Sequence, residues 1–501
     1  MNVNSSSPSV FWIRNGDSIP LSRVPFYTPE DFRRICLEQV YSGGRLALLS
    51  SVPALYGRKG GKTLLALAAD DENGKIGVLC ADLEEKNSYL SLSSEIPQAQ
   101  GFEREIFEEQ GILPKNHPWL KPLRKQETPY PFFKVKGEGI HEVAVGPVHA
   151  GIIEPGHFRF QCSGETVHHL EIQLGYQHRG AEELFLRSSP ERRLVISESF
   201  AGDTVIGHAL AYCMEIEALS KSEPPLYAHI LRGAALELER ISNHIGDLGA
   251  LCGDIGYLPG AAWFGRIRGE FLNWLMELSG NRFGRGLLKP GGVRFNLSAQ
   301  QTENFLIRLD KAERDLKETA ELTFNHPAVC SRFEETGIVS RAAAEALGMV
   351  GPAARSSGCE RDVRRDHPFG IFRFYHIPTA AADTGDVMAR AVLRWLETER
   401  SIQFIREQLT GLLEQSLEVE LQTEIQKMSP EHLAVSMVES WRGEILHLAV
   451  TTSKGEITGY KIVDPSFHNW FGLALALRGG QISDFPLCNK SFNLSYSGHD
   501  L

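Results

Sequence analysis

Apolar positions recur along this chain at two spacings, and the change from one to the other divides it. Up to about residue 120 they fall in short compact runs. Arg45–Leu49, Thr63–Ala68 and Ile76–Cys80 read as strands, parted by the turn formers Gly43-Gly44, Gly60-Gly61 and Asn73-Gly74. Between them Thr28-Pro29-Glu30-Asp31 carries a helix-start signature, with Thr as N-cap, Pro at the first helical position and acids in the first turn, and predicts a helix through Val40. These elements make residues 1–121 a small α/β domain with a hairpin.

Residues 122–139 mix prolines, glycines and both charges without an apolar period and read as a linker. The second domain, 140–501, opens on strands at Val143–Val145, Phe158–Phe160 and Val167–Leu174. From Val205 the spacing turns helical. Val205–Leu219, Leu226–Leu251, Arg266–Ser279, Thr302–Leu322 and Asp386–Leu412 each place apolar residues three and four apart. Strands return at Ile445–Val450 and Gly459–Val463, and Phe492–Tyr496 alternates as a strand does. The expected class is α+β: a small α/β unit fused to a mainly helical domain with short β-hairpins at its two ends.

Composition narrows the function. The 501 residues are 42% hydrophobic and 23% charged with a net charge of −11, a globular profile that excludes disordered and collagen-like chains. An acidic balance without a basic block argues against nucleic acid as a partner. Eight cysteines stand apart with no Cys-x-x-Cys pair, which fits buried thiols of a reducing compartment. Neither a leader pattern nor a run of about 18 apolar residues is present, so a cytoplasmic chain that does not itself span a membrane is expected.

Polar, Gly and Pro residues concentrate in 146–157, 197–208, 355–370 and 464–469. Turn chemistry and capping account for much of this. His168 and His169 are neighbours on a strand and point to opposite faces, so they cannot chelate one ion together. His244 reads as a satisfied helix residue. Arg361, Arg364 and Arg365 beside Asp362 and Asp366 read as a charge cluster that the following His367-Pro-Phe-Gly370 bend holds in place.

Several phrases, in order, carry a family resemblance. Gly146-Pro-Val-His149, Glu154-Pro-Gly-His-Phe-Arg159, Leu174-Gly-Tyr-Gln-His-Arg-Gly-Ala-Glu-Glu183, Glu239-Arg-Ile-Ser-Asn-His-Ile-Gly-Asp-Leu-Gly249, Arg355-Ser-Ser-Gly358 with Asp366-His-Pro368, and Gly385-Asp-Val-Met-Ala-Arg390 resemble the large subunit shared by complex I and the energy-converting nickel-iron hydrogenases. The first domain, with Ile96–Ile106 and Asn116–Lys121, is similar to the small accessory subunit of complex I. That fusion is the arrangement of the formate hydrogenlyase type.

The resemblance implies a peripheral-arm subunit on the cytoplasmic side of a membrane complex. Its partners would be a small iron-sulfur subunit that supplies electrons and membrane subunits of antiporter-like and anchor type. In the hydrogenases two Cys-x-x-Cys pairs hold the metals. Here those positions read Ala201, Thr204, Ser466 and Asn469. No metal or cofactor is therefore expected on this chain, and the Pro465-Ser-Phe-His-Asn469 phrase matches the quinone-reducing branch. The tyrosine that meets quinone in complex I falls on Gly202. His149, His157, Asp203 and His208 are the candidate proton-transfer groups. Arg355, Asp366 and His367 would tune charge around the cavity, Arg179 would lie near the partner's cluster, and Asp464, Ser466 and Asn469 would line the interface. The competing readings are a formate hydrogenlyase-type nickel-iron hydrogenase and a non-catalytic coupling scaffold.

Overall fold

The computed structural model describes residues 10–52, 62–83, 86–125, 130–149, 153–414 and 419–501. The Gly60-Gly61 turn lies outside the described residues.

Strands β1 (Phe11–Ile13), β2 (Ser18–Pro20), β3 (Phe26–Tyr27), β4 (Arg45–Ser50), β5 (Thr63–Asp70) and β6 (Lys75–Asp82) form the first part of the chain with helix α1 (Pro29–Tyr41). Thr28 caps α1 as its sequence requires, its hydroxyl accepting the Asp31 N–H at 3.1 Å. Five of these strands make one sheet in the order β1-β6-β5-β4, with β3 added parallel to β6. Its middle strands are buried on both faces because α1 covers one side, so they read as unbroken apolar runs. The sixth strand, β2, leaves this sheet. Helix α2 (Gln100–Gln110) and the parallel pair β7 (Ser88–Leu90) and β8 (Leu113–Lys115) complete the region.

Residues 130–140 contain no helix or strand and run beside a three-stranded antiparallel sheet of β9 (His141–Val145), β10 (His157–Ser163) and β11 (Thr166–Gln173). Short helices α3 (Ala181–Arg187) and α4 (Pro190–Ser197) lead into α5 (Val205–Ser220), which is buried along nearly its whole length. Helices α6 (Leu226–Asp254), α7 (Leu258–Ser279) and α8 (Ala299–Phe324) follow, with the small ribbon β12 (Leu288–Lys289) and β13 (Gly292–Val293) between the last two. Then come the short α9 (Pro327–Phe333), α10 (Arg341–Leu347), α11 (Gly351–Arg355) and α12 (Val363–Asp366), and the long α13 (Val387–Glu414). Helix α6 is the axis, packed against α7 and α13.

Three strands return at the end: β14 (His432–Ser440), β15 (Gly443–Thr451) and β16 (Ile457–Val463). They form an antiparallel sheet in the order β16-β15-β14-β2, and α5 lies across β14 and β15. The edge strand β2 comes from the other end of the chain, pairing Ile19 with Leu433. Helices α14 (Pro465–Ala476), α15 (Phe485–Phe492) and α16 (Tyr496–His499) close the fold.

The strand expected at Phe492–Tyr496 is not formed. Phe492 ends α15, Asn493 takes a left-handed conformation (φ 45°) as its cap, and Ser495 caps α16 by accepting the Gly498 N–H. Asn tolerates that backbone and Ser is a strong N-cap, so local capping outweighs the apolar alternation.

Candidate functional site

The site is organised by the hairpin between β14 and β15. Ser440 pairs with Gly443, leaving Trp441 and Arg442 as the two turn residues. Gly443 has φ 131°, and a Cβ there would lie 2.7 Å from the Gly351 Cα, so only glycine lets the hairpin sit against α11. The turn reaches over the loop before α5. Trp441 Nε1 donates to the Asp203 carbonyl at 3.1 Å and to Thr204 Oγ1 at 3.2 Å. Arg442 grips the Asp203 carboxylate with both guanidinium ends, at 2.5 and 2.8 Å. The Asp203 side chain remains 37% exposed, so this pair stands where the buried interior opens outward.

Thr204 occupies the N-cap position of α5 but makes no capping bond, its hydroxyl being directed to Trp441 and Arg442. Glu239 of α6 caps instead, accepting from the N–H groups of Ile206 (2.7 Å) and Gly207 (3.1 Å). Burial pushes its carboxyl up to about 8, with those amides opposing the shift and Asp203 adding to it.

The facing wall is the start of α14. Asp464 is its N-cap and accepts the Ser466 N–H at 2.8 Å. Ser466 Oγ accepts the Ser495 N–H at 2.8 Å, and the Asn469 amide bonds to both the N–H and the carbonyl of Val350. Ala201, Thr204, Ser466 and Asn469 are all fully buried. Ala201 has no donor atom, and the polar groups of the other three are engaged within the protein. Hydroxyl and amide oxygens are hard, weak ligands in any case, so these residues do not fit a nickel-iron centre.

Between the two walls runs a chain of buried polar side chains. Asp464 Oδ2 lies 3.1 Å from His208 Nε2, His208 Nδ1 lies 3.1 Å from His447 Nε2, and His447 Nδ1 lies 2.7 Å from the Tyr460 hydroxyl. His208 comes from α5, His447 from β15 and Tyr460 from β16. Sequence reasoning found His208 and Asp464 but missed His447 and Tyr460. The available signal was a lone polar residue on the inward face of each of two apolar strands.

Comparison with known proteins points to one family. A family model described as "Respiratory-chain NADH dehydrogenase, 49 Kd subunit" matches residues 254–500. The carbon monoxide-induced hydrogenase of Rhodospirillum rubrum is 29% identical over 354 residues, covering 70% of this chain and 97% of that protein. Formate hydrogenlyase subunit 5 of Escherichia coli is 29% identical over 448 residues, covering 83% and 77%. An NADH-quinone oxidoreductase subunit of Chloroherpeton thalassium is 28% identical over 364 residues, covering 68% and 82%.

Over residues 254–500 the chain fits this complex I 49 kDa subunit family.

The other candidates take their places around this 49 kDa-type core. In the 146–157 loop, whose residues 150–152 are not described, both histidines bond to backbone: His149 Nε2 to the Gly156 carbonyl at 2.9 Å, His157 Nδ1 to the Gly146 carbonyl at 3.3 Å. Glu154 accepts the Tyr496 N–H at 3.1 Å, which joins this loop to the tail held by Ser466. Arg179 donates to the carbonyls of Ser199 and Phe200, directly before Ala201. These contacts tie the loop to the tail and Arg179 to the segment before Ala201.

Arg355 meets the β14 end of the hairpin at Glu439. It is fully buried and bonds to Glu397 (2.8 Å), Glu439 (2.8 Å) and the Arg361 carbonyl. His244 meets the same Glu397 at 2.8 Å, and Arg364 bridges Glu237 and Asp362, so the charge cluster read from the sequence is largely interior. Burial pushes Glu439 up to about 7, while Arg355 pulls it down. Asp366 caps locally, accepting the Asp362 N–H at 2.9 Å. His367 Nε2 lies 3.0 Å from Asp71 of the first sheet region. Glu439 and Arg442 stand at opposite ends of one hairpin turn, so the turn joins the two charged groups.

Proposed function

We propose that this chain is the large peripheral subunit of a complex I-like, membrane-bound oxidoreductase on the cytoplasmic face. Electrons reach it from an iron-sulfur cluster in a small partner subunit and pass to a quinone-like acceptor, with the reaction coupled to ion movement through antiporter-like and anchor subunits in the membrane. No helix among the described residues is long and apolar enough to cross a membrane, and in this reading the partner subunits provide the attachment.

The observation that carries this reading is the donor set at the old thiolate positions. Thr204, Ser466 and Asn469 hold the hairpin, the tail and the Val350 backbone, and Ala201 holds nothing. That supports the quinone branch of the family over the nickel-iron branch. The chain's own residues would then do two things. The Asp203–Arg442 pair, at the opening, orients a polar acceptor and limits its charge, while Asp464 and His208 beneath it hold a proton in reach.

Purifying the assembled complex and measuring both quinone-analogue reduction and nickel content tests the proposal. Turnover with no stoichiometric nickel is expected. About one nickel per chain would return the protein to the hydrogenases, and an assembled complex without turnover would leave it a coupling scaffold.

A further inference from the structure

The buried chain Asp464–His208–His447–Tyr460 has more order than packing requires. All four groups are essentially inaccessible, at 1%, 0%, 0% and 4% exposure, so water cannot replace any of their bonds. Each imidazole is engaged through both ring nitrogens, accepting on one side and donating on the other.

The ends fix the direction. Burial keeps the Tyr460 hydroxyl protonated well above its ordinary range, and 2.7 Å from His447 Nδ1 it has a hydrogen to place on that nitrogen. Burial would raise the Asp464 carboxyl, but the His208 hydrogen bond and Arg442 outweigh it and keep the group ionised as an acceptor of His208 Nε2–H. His208 Nδ1 is then left to accept from His447 Nε2–H, and burial beside His208 keeps the His447 ring neutral. Every hydrogen in the chain points from Tyr460 toward Asp464.

At the Tyr460 end stands Glu215. It lies on α5 seven residues beyond His208, on the same helical face, and acts electrostatically on Tyr460. Its carboxyl is fully buried, and neither oxygen has a partner in hydrogen-bonding geometry. Burial raises it well above the ordinary carboxylate range, so it carries a proton near neutral pH.

We propose that Tyr460, His447, His208 and Asp464 form a proton relay that draws on Glu215 and delivers to the junction beneath Asp203 and Arg442. In one passage the Tyr460 proton goes to His447 Nδ1, the His447 Nε2 proton to His208 Nδ1, and the His208 Nε2 proton to Asp464, while the Glu215 carboxyl, whose oxygens are not held by a hydrogen bond, turns to the Tyr460 oxygen and gives it the replacing proton. One proton has moved, both imidazoles have exchanged tautomers, and no electron is transferred within the chain. At rest the proton stays on Glu215. Negative charge arriving beside Asp464 raises the proton affinity of that carboxylate and pulls the relay forward.

The turnover part of the test rests on the proposed function, and a spectroscopic part does not. In the assembled complex, Tyr460→Phe, His447→Gln and Glu215→Gln should each lower quinone-analogue reduction at least about tenfold, with KM little changed and a larger solvent deuterium isotope effect. Full turnover and an unchanged isotope effect in both Tyr460→Phe and His447→Gln would overturn the relay. Independently of activity, nitrogen-15 resonances of the wild-type chain should show the proton of His208 and of His447 on Nε2, and the infrared spectrum of buried protonated carboxyls, to which Glu239 also contributes, should lose one component in Glu215→Gln. Cationic rings, the opposite tautomers, or a carboxyl spectrum unchanged by Glu215→Gln would sink the relay. No quinone reduction by the wild type, with these spectra as expected, would instead remove the acceptor reading.

Discussion

Asn469 holds Val350 with both ends of its amide: Oδ1 accepts the Val350 N–H at 3.0 Å, and Nδ2 donates to the Val350 carbonyl at 3.1 Å. This two-point grip joins α14 to the residue before α11, and both partners are buried. Replacing Asn469 by Ala leaves a buried N–H and a buried carbonyl without partners, a loss of about 2–4 kcal/mol. Asn469→Cys should lose a similar amount, since a thiol is a weak donor and acceptor. Denaturant unfolding of the variants measures this, and a midpoint equal to the wild type would show the grip to be idle.

Arg355 is the second structural test. It sits between Glu397 and Glu439 with no access to water, so Arg355→Met takes a cationic partner from two buried acids, leaving Glu397 to His244 and Glu439 to the Val363 N–H, and should cost about 3–5 kcal/mol. The double variant Arg355→Met, Glu439→Gln removes one of the stranded charges and should recover part of that loss. Calorimetry of the single and double variants gives the comparison, and additive losses would contradict the pairing.

A pH effect follows from His468. Burial, helped by Arg45, depresses its ring from an ordinary value of 6.5 to about 3, so it is neutral in the fold and takes up a proton on unfolding. Its contribution to stability is complete above pH 6.5 and is lost as the pH falls toward 3. Over that interval unfolding should bind about one more proton in the wild type than in His468→Asn. Unfolding midpoints of both proteins across the acid range test this, and parallel curves would refute it.

Glu154 gives a prediction about motion. Its carboxylate accepts the N–H groups of Tyr496 (3.1 Å) and Ser497 (3.4 Å), the only described link it makes from the 153–157 segment to the tail. Glu154→Ala should speed amide exchange at both segments while leaving α6 protected. Unchanged exchange at Tyr496 and Ser497 would show that Ser466 and the other tail contacts suffice.

Much of the architecture could be read from spacing because each element obeys one dominant local rule. The helix from Thr28 followed its cap, and α5, α6, α8 and α13 followed apolar periods long enough to leave little choice. Where two local rules competed, as at Asn493 and Ser495, the period lost to the caps. Strand β14 was not anticipated, because its apolar run lacks the alternation that marks a half-buried strand: its whole inner length is covered on both faces. The site was legible in its loops and not in its interior. His447 and Tyr460 meet as diagonal neighbours on one face of β15 and β16, since the residue opposite His447 is Ile462. That relation depends on register, which no single segment reveals.

The pairing of β2 with β14 bears on how the chain is made. Ser18–Pro20 leaves the ribosome more than four hundred residues before its partner at His432–Ala434 is synthesised. A strand that early has no edge to join, so the last sheet cannot close on β2 until β14 has been made. Synthesis paused before β14 would therefore expose Ile19 on an unfinished product, a form that chaperones should recognise and the completed protein should conceal.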